Sequence, residues 1–172
     1  MLDNWYVLQV VTGKEEQTRK DILSLVDCTV IKECFIPKTK AMKKYQGQWH
    51  KDDKIMFPGY LFLITDHIEE VYVDLKKVPT LTKMLGQRGT EIFPLPEREV
   101  MILCKFANDD HIVDISLGFI EGDKITVTSG PLMGQEGLIK KIDRHKRIAE
   151  VEVTFFGQVI KAKVGLEIVS KK

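Results

Sequence analysis

The residue pattern of this chain changes near residue 118, and this change restricts its fold more than any other feature. From there onward, short runs of β-branched and apolar residues alternate with glycines. The runs are ITVTS, GLIKKI, IAEVEVTF, QVIKAKV and LEIV. Within the third run, Glu150 and Glu152 alternate with apolar neighbours, as residues in half-buried strands do. Five short strands separated by glycines predict a small antiparallel β-barrel over residues 118–172.

The first part of the chain interleaves strand and helix patterns instead. The strand candidates are 5–11, 31–36, LFLI after residue 60, and 81–85, and the helix candidates follow residues 14, 67 and 96. We expect Asp66 to cap the second helix. The order β-α-β-β-α-β-α predicts one sheet with helices packed against it. Residues 38–54 show no periodicity, so we interpret them as an exposed loop or a hairpin.

These patterns predict an α+β protein with two domains. The first covers residues 1–107 and the second residues 118–172, while the acidic, aperiodic segment 108–117 is interpreted as the linker. With 172 residues, 44% hydrophobic and 30% charged, the composition is that of a folded soluble protein. The net charge is only +1, so any nucleic-acid-binding surface has to come from local clustering of cations.

Several classes of protein are disfavoured by the sequence. No apolar stretch approaches the ~20 residues of a membrane span, and the N-terminus lacks a secretory signal. The three cysteines form no CxxC pair, which fits a reducing cytoplasm. No P-loop, GxGxxG, GxSxG or HExxH motif occurs. Cys28, Cys34 and His50 match no zinc spacing. We therefore expect no enzyme activity, no cofactor and no metal site.

Five segments, taken in order, resemble one family. WYVLQV-TGKE, FPGYLFL, KKVPTLTKMLG and PLPEREV resemble the N-terminal NGN domain of the NusG family, and GDKITVTSGPLMGQEGLIKKID with VTFFGQ resembles its KOW motif. The resemblance implies an NGN α/β sandwich followed by an SH3-like, five-stranded KOW barrel. It also implies a monomeric, bacterial, cytoplasmic factor for transcription elongation or antitermination. Two basic segments, KTKAMKKYQGQWHK and IKKIDRHKR, are similar to LoaP-like antiterminators.

The segment Phe57-Pro58-Gly59-Tyr60 places two aromatic residues around a rigid turn. One interpretation is core packing at the start of a buried strand. The other is a shallow aromatic pocket for a partner helix, because aromatic residues are enriched at interface anchors. The resemblance implies that this partner is the clamp helices of RNA polymerase. It assigns the polymerase-binding surface to Trp5, Tyr6, Phe57, Pro58, Gly59 and Tyr60.

Two clusters of cations are candidates for nucleic-acid contact. Residues 38–54 contain Lys43 and Lys44, with Tyr45, Trp49 and His50 interleaved. Residues 140–147 hold five cations and one acid, and a strand beyond them carries two more lysines on one face. Solvated charge is the alternative in both places. The predicted contacts of the second cluster are Lys140, Lys141, Arg144, His145, Lys146, Arg147, Lys161 and Lys163.

The resemblance also implies a protein partner at Phe156, where ribosomal protein S10 or termination factor Rho docks in the family. It leaves three functions open. A specialised antiterminator would read RNA, such as a leader hairpin, or non-template DNA with its KOW domain. A general NusG would bind S10 or Rho instead. A ribosome-associated RNA-binding protein would use the barrel alone.

Overall fold

A computed structural model describes residues 3–172. It contains helices α1 (Glu15–Leu25), α2 (Ile68–Leu75) and α3 (Glu97–Phe106) and a 3-10 turn at Glu136–Leu138. The strands of the first half are β1 (Trp5–Val10), β2 (Glu33–Phe35), β3 (Lys38–Tyr45), β4 (Gln48–Ile55), β5 (Tyr60–Ile64), β6 (Leu81–Met84), β7 (Gln87–Arg88) and β8 (Glu91–Ile92). Those of the second half are β9 (Ile112–Val113), β10 (Ser116–Glu121), β11 (Lys124–Ser129), β12 (Ile139–Asp143), β13 (Ile148–Phe155) and β14 (Gln158–Lys171).

The described chain divides into two compact units that are not continuous in sequence. The first unit comprises the chain up to Ile36, Phe57–Met101 and Phe155–Gln158. The second comprises Pro37–Met56, Ile102–Thr154 and Val159–Lys172. Hairpin β3–β4 therefore belongs to the same unit as most of the C-terminal strands.

The first unit is built on an antiparallel sheet with the strand order β2-β5-β1-β6. Strand β1 is central and apolar, and Val7 and Leu8 are fully buried, so both of its faces are covered. Helix α1 buries Thr18 and Ile22 and contacts β2, β5 and α2. This sheet with packed helices confirms the predicted α/β sandwich.

The second unit contains a five-stranded sheet with the order β11-β10-β14-β13-β12. Strand β13 buries Ala149, Val151 and Val153 on its inner face, in the alternation predicted from its sequence. The first three predicted strands correspond to β11, β12 and β13, whereas the last two are joined in the single strand β14. The fifth strand of the sheet is β10, which was not predicted from the sequence. The five-stranded sheet nevertheless confirms the expected small β-barrel fold. The expectation that all of its strands are antiparallel is wrong, because β10 pairs with β14 in parallel.

Residues 38–55 form a hairpin, which decides between the two interpretations of this basic segment. Strands β3 and β4 pair from Lys38 opposite Ile55 to Tyr45 opposite Gln48. Gln46 and Gly47 form the loop with φ angles of 50° and 77°, as a type I′ turn requires. Strand β3 also pairs in parallel with β9, which lies in the segment interpreted as a linker. The same segment includes the start of β10.

The expected cap of α2 is wrong. The N-cap residue is His67, whose backbone N–H donates to Thr65 Oγ1 at 3.0 Å. Asp66 instead pairs with Lys32, at 2.8 Å between Oδ2 and Nζ. Within residues 3–172, no helix is long and apolar enough to cross a membrane.

Candidate nucleic-acid interface and aromatic segment

The aromatic segment predicted to bind polymerase is largely buried. Phe57 has no exposed surface and packs against Phe62 and Phe155, with ring centroids 5.7 Å and 5.6 Å apart. The ring centroids of Phe62 and Phe155 are 5.8 Å apart, so the three phenylalanines form one cluster. Of the two interpretations of Phe57, core packing therefore describes its position in the first unit.

Trp5 and Tyr6, on the neighbouring strand β1, are also buried. Trp5 is 8% exposed and meets the ring of Phe35 edge-on at 5.3 Å. Tyr6 is 3% exposed, and burial raises the pKa of its hydroxyl. Neither side chain presents a broad surface to solvent.

The turn itself keeps two half-buried side chains, those of Pro58 and Tyr60. Gly59 has a φ of 86°, which suits glycine at the third position of a turn that has proline at the second. The Tyr60 N–H donates to the Phe57 carbonyl at 3.1 Å and closes this turn. Accessible atoms in this segment therefore come mainly from Pro58 and Tyr60.

Phe156, the predicted protein-partner residue, lies in a turn and is half-buried within the first unit. It follows β13 with a φ of 52°, and its backbone N–H donates to the Glu99 carboxylate at 3.2 Å and 3.4 Å. Its ring lies against Gly86, where an added Cβ would come within 2.5 Å of it. Glu99 is 5% exposed, and burial raises the pKa of its carboxyl despite this hydrogen bond.

In the second unit, the basic segment 140–147 forms the end of β12 and the loop to β13. Asp143 pairs with Ile148, so the loop consists of Arg144–Arg147. Asp143 Oδ1 accepts the Lys146 N–H at 2.9 Å, and this hydrogen bond lowers the pKa of the Asp143 carboxyl. Arg147 has a φ of 58° and completes the reversal. The acid in this cluster thus shapes the loop on which the cations are displayed.

The outer face of strands β12, β13 and β14 carries a shallow depression of about 130 Å³. It is lined by Lys141, Asp143, Lys146, Ile148, Glu150 and Lys163. The three lysines are exposed and form no ion pair within residues 3–172. Lys161 is also exposed, but its Nζ lies 3.5 Å from Glu150 Oε1. Strand alternation thus places Lys161 and Lys163 on one face, where only Lys163 lines the depression.

The remaining predicted nucleic-acid contacts differ in their surroundings. Lys140, Arg144 and His145 are exposed. On hairpin β3–β4, Lys43 lies 4.0 Å from Asp52, whereas Lys44 forms no ion pair within the described chain. Arg147 is half-buried, and its guanidinium pairs with Glu167 Oε1 at 3.1 Å. Arg147 is therefore less available to phosphate than its neighbours.

One contact brings the two basic clusters together, and the sequence analysis did not identify it. The Arg147 guanidinium lies over the Trp49 ring, 4.0 Å from its centroid. Trp49 stands on β4, so the hairpin and the Arg144–Arg147 loop meet within the second unit. The tryptophan among lysines was a visible signal, but nothing in the sequence indicated its partner.

Comparisons with known proteins agree with this fold. The family model described as "Transcription termination factor nusG" matches residues 3–104, and the KOW motif matches residues 121–156. NusG of Streptococcus pyogenes is 26% identical over 177 residues, covering 96% of this chain and 97% of the relative. NusG of Buchnera aphidicola is 25% identical over 162 residues, covering 90% of this chain and 88% of the relative.

A solved structure of Thermotoga maritima NusG has a similar fold, with a TM-score of 0.52 and 23% identity. The match covers 96% of this chain and 94% of that one. The family model alone spans more than half of the 172 residues. The chain therefore belongs to the NusG family, with an N-terminal NusG domain followed by a KOW motif.

Proposed function

We propose that this protein is a bacterial, cytoplasmic, non-enzymatic factor for transcription elongation and antitermination. Residues 1–107 bind RNA polymerase, residues 118–172 form the KOW barrel that binds nucleic acid, and residues 108–117 connect them. The ordered match of both family models supports this proposal most strongly. The relatives from Buchnera aphidicola and Streptococcus pyogenes are named transcription termination/antitermination proteins.

The proposed mechanism uses binding energy alone. A protein that binds the elongating state of polymerase better than the paused state shifts the population toward elongation, by as much as its affinities for the two states differ. Attachment to polymerase also raises the local concentration of the KOW barrel near emerging RNA and non-template DNA. The protein functions as a monomer in this scheme.

The polymerase-binding surface is centred on the turn Phe57–Tyr60. Pro58 and Tyr60 offer accessible atoms to the clamp helices, and the buried Phe57 ring, packed on Phe62 and Phe155, anchors the turn. Trp5 and Tyr6 are buried on β1 opposite Ile64 and Leu63, at the other end of β5. Gly59 permits the tight reversal that presents Tyr60. Loss of the accessible side chains should weaken binding, whereas loss of the buried ones should weaken the fold.

The nucleic-acid surface is centred on the depression lined by Lys141, Lys146 and Lys163. These exposed lysines are free of ion pairs within the described residues, so they are available to neutralise phosphates. RNA, such as a leader hairpin, is the expected ligand, and non-template DNA is the competing one. RNA reading of this kind would make the protein a specialised, LoaP-like member of the family.

A polymerase pull-down and a readthrough assay test the proposal together. Full-length protein should retain bacterial core RNA polymerase and increase transcription through a terminator. Tyr60→Ala should weaken retention without unfolding the chain, and Lys20→Gln, an exposed change on α1, serves as its control. Folded protein that fails to retain polymerase would contradict the central claim.

The alternative functions give different outcomes in the same experiments. RNA binding without polymerase retention would support a ribosome-associated RNA-binding protein. Polymerase retention together with binding of S10 or Rho, and unchanged RNA affinity in a Lys141→Gln, Lys146→Gln, Lys163→Gln variant, would support a general NusG. The ring of Phe156 packs against Gly86, so it would have to move away from Gly86 before S10 or Rho could contact the whole ring.

A further inference from the structure

We propose that hairpin β3–β4 and the Arg144–Arg147 loop form one binding surface for a single-stranded nucleic acid. In this surface the hairpin lysines Lys44 and Lys51 contact phosphates, and Tyr45 stacks on an unpaired base. The inference rests on the proposed function only in assigning nucleic-acid binding to the neighbouring barrel lysines. It extends that site to a second structural element of the same unit.

Arg147 is the residue that joins the two elements. Its guanidinium stacks on Trp49 at 4.0 Å and pairs with Glu167 at 3.1 Å. Its carbonyl accepts the Leu166 N–H at 3.0 Å. A planar guanidinium held on both an aromatic face and a carboxylate is fixed in orientation. Arg147 therefore acts as a bridge between the hairpin and the loop.

The base of the hairpin is attached to β14 as well. Thr39 Oγ1 accepts the Gly165 N–H at 3.1 Å and donates to the Val113 carbonyl at 3.2 Å. At the same base, just after β4 ends, the Lys163 N–H donates to the Met56 carbonyl at 3.0 Å. The hairpin is thus held both at its base and at Trp49. A surface ordered before binding loses less conformational entropy when the ligand arrives.

The strand register places the unpaired hairpin lysines beside this bridge. Lys44 on β3 lies directly opposite Trp49 on β4. Lys51 is two residues after Trp49 on β4, so the side chains of all three residues are on one face of the hairpin. Lys44 and Lys51 are exposed, and neither forms an ion pair within residues 3–172. Lys40, on the same face, pairs with Asp53 at 2.5 Å, and Lys43, on the opposite face, lies 4.0 Å from Asp52. Lys44 and Lys51 therefore supply unpaired positive charge on the Trp49 face.

Tyr45 indicates that the ligand is single-stranded. It is 61% exposed at the end of β3, with His50 edge-on to its ring at 6.5 Å. An exposed ring among cations is the usual platform for an unpaired base, because stacking requires a free base face that a duplex does not offer. Tyr45 projects from the face opposite Lys44. Tyr45 is the last residue of β3 before the turn, so a flexible strand that passes over the tip of the hairpin can contact both faces.

Fluorescence anisotropy with labelled oligonucleotides tests this surface without polymerase. The probes are a mixed-sequence RNA of about 20 nucleotides, longer than the ~4–16 that a small barrel covers, the DNA of the same sequence, and the RNA duplex. Each is titrated with full-length protein over a salt series. The two single strands distinguish an RNA source from a DNA source.

Neutralising the hairpin lysines should reduce the salt dependence of binding. For Lys44→Gln/Lys51→Gln, the slope of log affinity against log salt should become shallower by about 1.4, since each single-strand phosphate contact contributes ~0.7. The control is Lys14→Gln/Lys20→Gln, which removes the same charge from exposed positions on or beside α1 and should leave the slope unchanged. Tyr45→Ala should lower single-strand affinity about tenfold while Tyr45→Phe retains it.

Trp49→Ala tests whether the two elements act as one surface. Without the Arg147 contact, the hairpin lysines and the barrel lysines should act independently, so their coupling in a double-mutant cycle should disappear. Trp49→Phe keeps an aromatic ring for Arg147 and should preserve part of this coupling. Circular dichroism establishes that each variant is folded.

Three outcomes would overturn the inference, and they differ in what else they overturn. If substitution of the barrel lysines changes the salt slope but substitution of Lys44 and Lys51 does not, only this inference is wrong. A duplex bound more tightly than either single strand would also contradict it while leaving barrel binding intact. If the wild-type protein binds none of the probes, the nucleic-acid part of the proposed function is wrong too.

Discussion

The aromatic segment Phe57–Tyr60 and the basic hairpin β3–β4 were both selected from sequence as binding elements, yet they occupy opposite environments. Phe57 is fully buried, whereas Lys43, Lys44 and Tyr45 are exposed. The residues that carry much of the family resemblance are thus residues that the fold itself needs. Binding that is particular to this chain is better sought among exposed residues, where the fold imposes little on the choice of side chain.

The largest expected effect is at Phe57. Phe57→Ala removes a ring from a three-ring cluster with no exposed surface and should lower the free energy of unfolding by about 3–5 kcal/mol. Urea unfolding measures the change. Tyr60→Ala, at a half-buried position, is the matched comparison and should lower the free energy of unfolding by clearly less. If the two variants unfold with equal free energies, the interpretation of Phe57 as a core-packing residue is wrong.

Gly165→Ala should have the next largest effect and acts on the hairpin. An added Cβ at Gly165 would collide with the backbone carbonyl of Lys40, which cannot yield without moving β3. We expect a loss of about 1–3 kcal/mol in the free energy of unfolding, as for other overpacked sites. Gly137→Ala is the control, because nothing lies within 4 Å of its added Cβ. If both variants are equally stable, the hairpin is not anchored at its base.

Much of the fold follows from patterns that are local in sequence. Strand β1 is rich in β-branched and aromatic residues, and strand β13 alternates apolar residues with Glu150 and Glu152, so both were predicted from the local sequence. Hairpin β3–β4 was harder, because its lysines hide any alternation of apolar and polar residues. Its turn, Gln46-Gly47, was the local signal that favours a hairpin over a loop.

The contacts that define the candidate sites are not local, and sequence reasoning missed them. Trp49 and Arg147 lie on elements far apart in the chain, as do Glu99 and Phe156, which are 57 residues apart. Periodicity states which face a residue occupies but not which element lies opposite that face. The cation clusters were found because charge density is visible in sequence, whereas ion pairs that neutralise some of their members, such as Lys161 with Glu150, are not.

A smaller effect than the two losses of stability above is expected from two lysines on β14, of which Lys161 pairs with Glu150 and Lys163 forms no ion pair within residues 3–172. Lys163→Gln should make the salt slope for RNA shallower by about 0.7, the contribution of one single-strand phosphate contact. Lys161→Gln should change it less, because Glu150 already offsets that charge at 3.5 Å. The same anisotropy titration measures both variants. Identical slopes for the two would show that the pairing does not decide which lysine binds.

The smallest expected effect concerns Glu99, an acid of the first unit that is only 5% exposed. Burial raises the pKa of its carboxyl above the ordinary value of 4.5, so between these two pKa values the folded state binds more protons than the unfolded state. Stability should therefore fall as pH rises through this window and then level off. Glu99→Gln retains an acceptor for the Phe156 N–H and should lack this dependence. Urea unfolding of both proteins from about pH 4 to about pH 8 measures the difference. A wild-type protein that instead gains stability relative to Glu99→Gln as pH rises would show that the hydrogen bond to Phe156 outweighs burial.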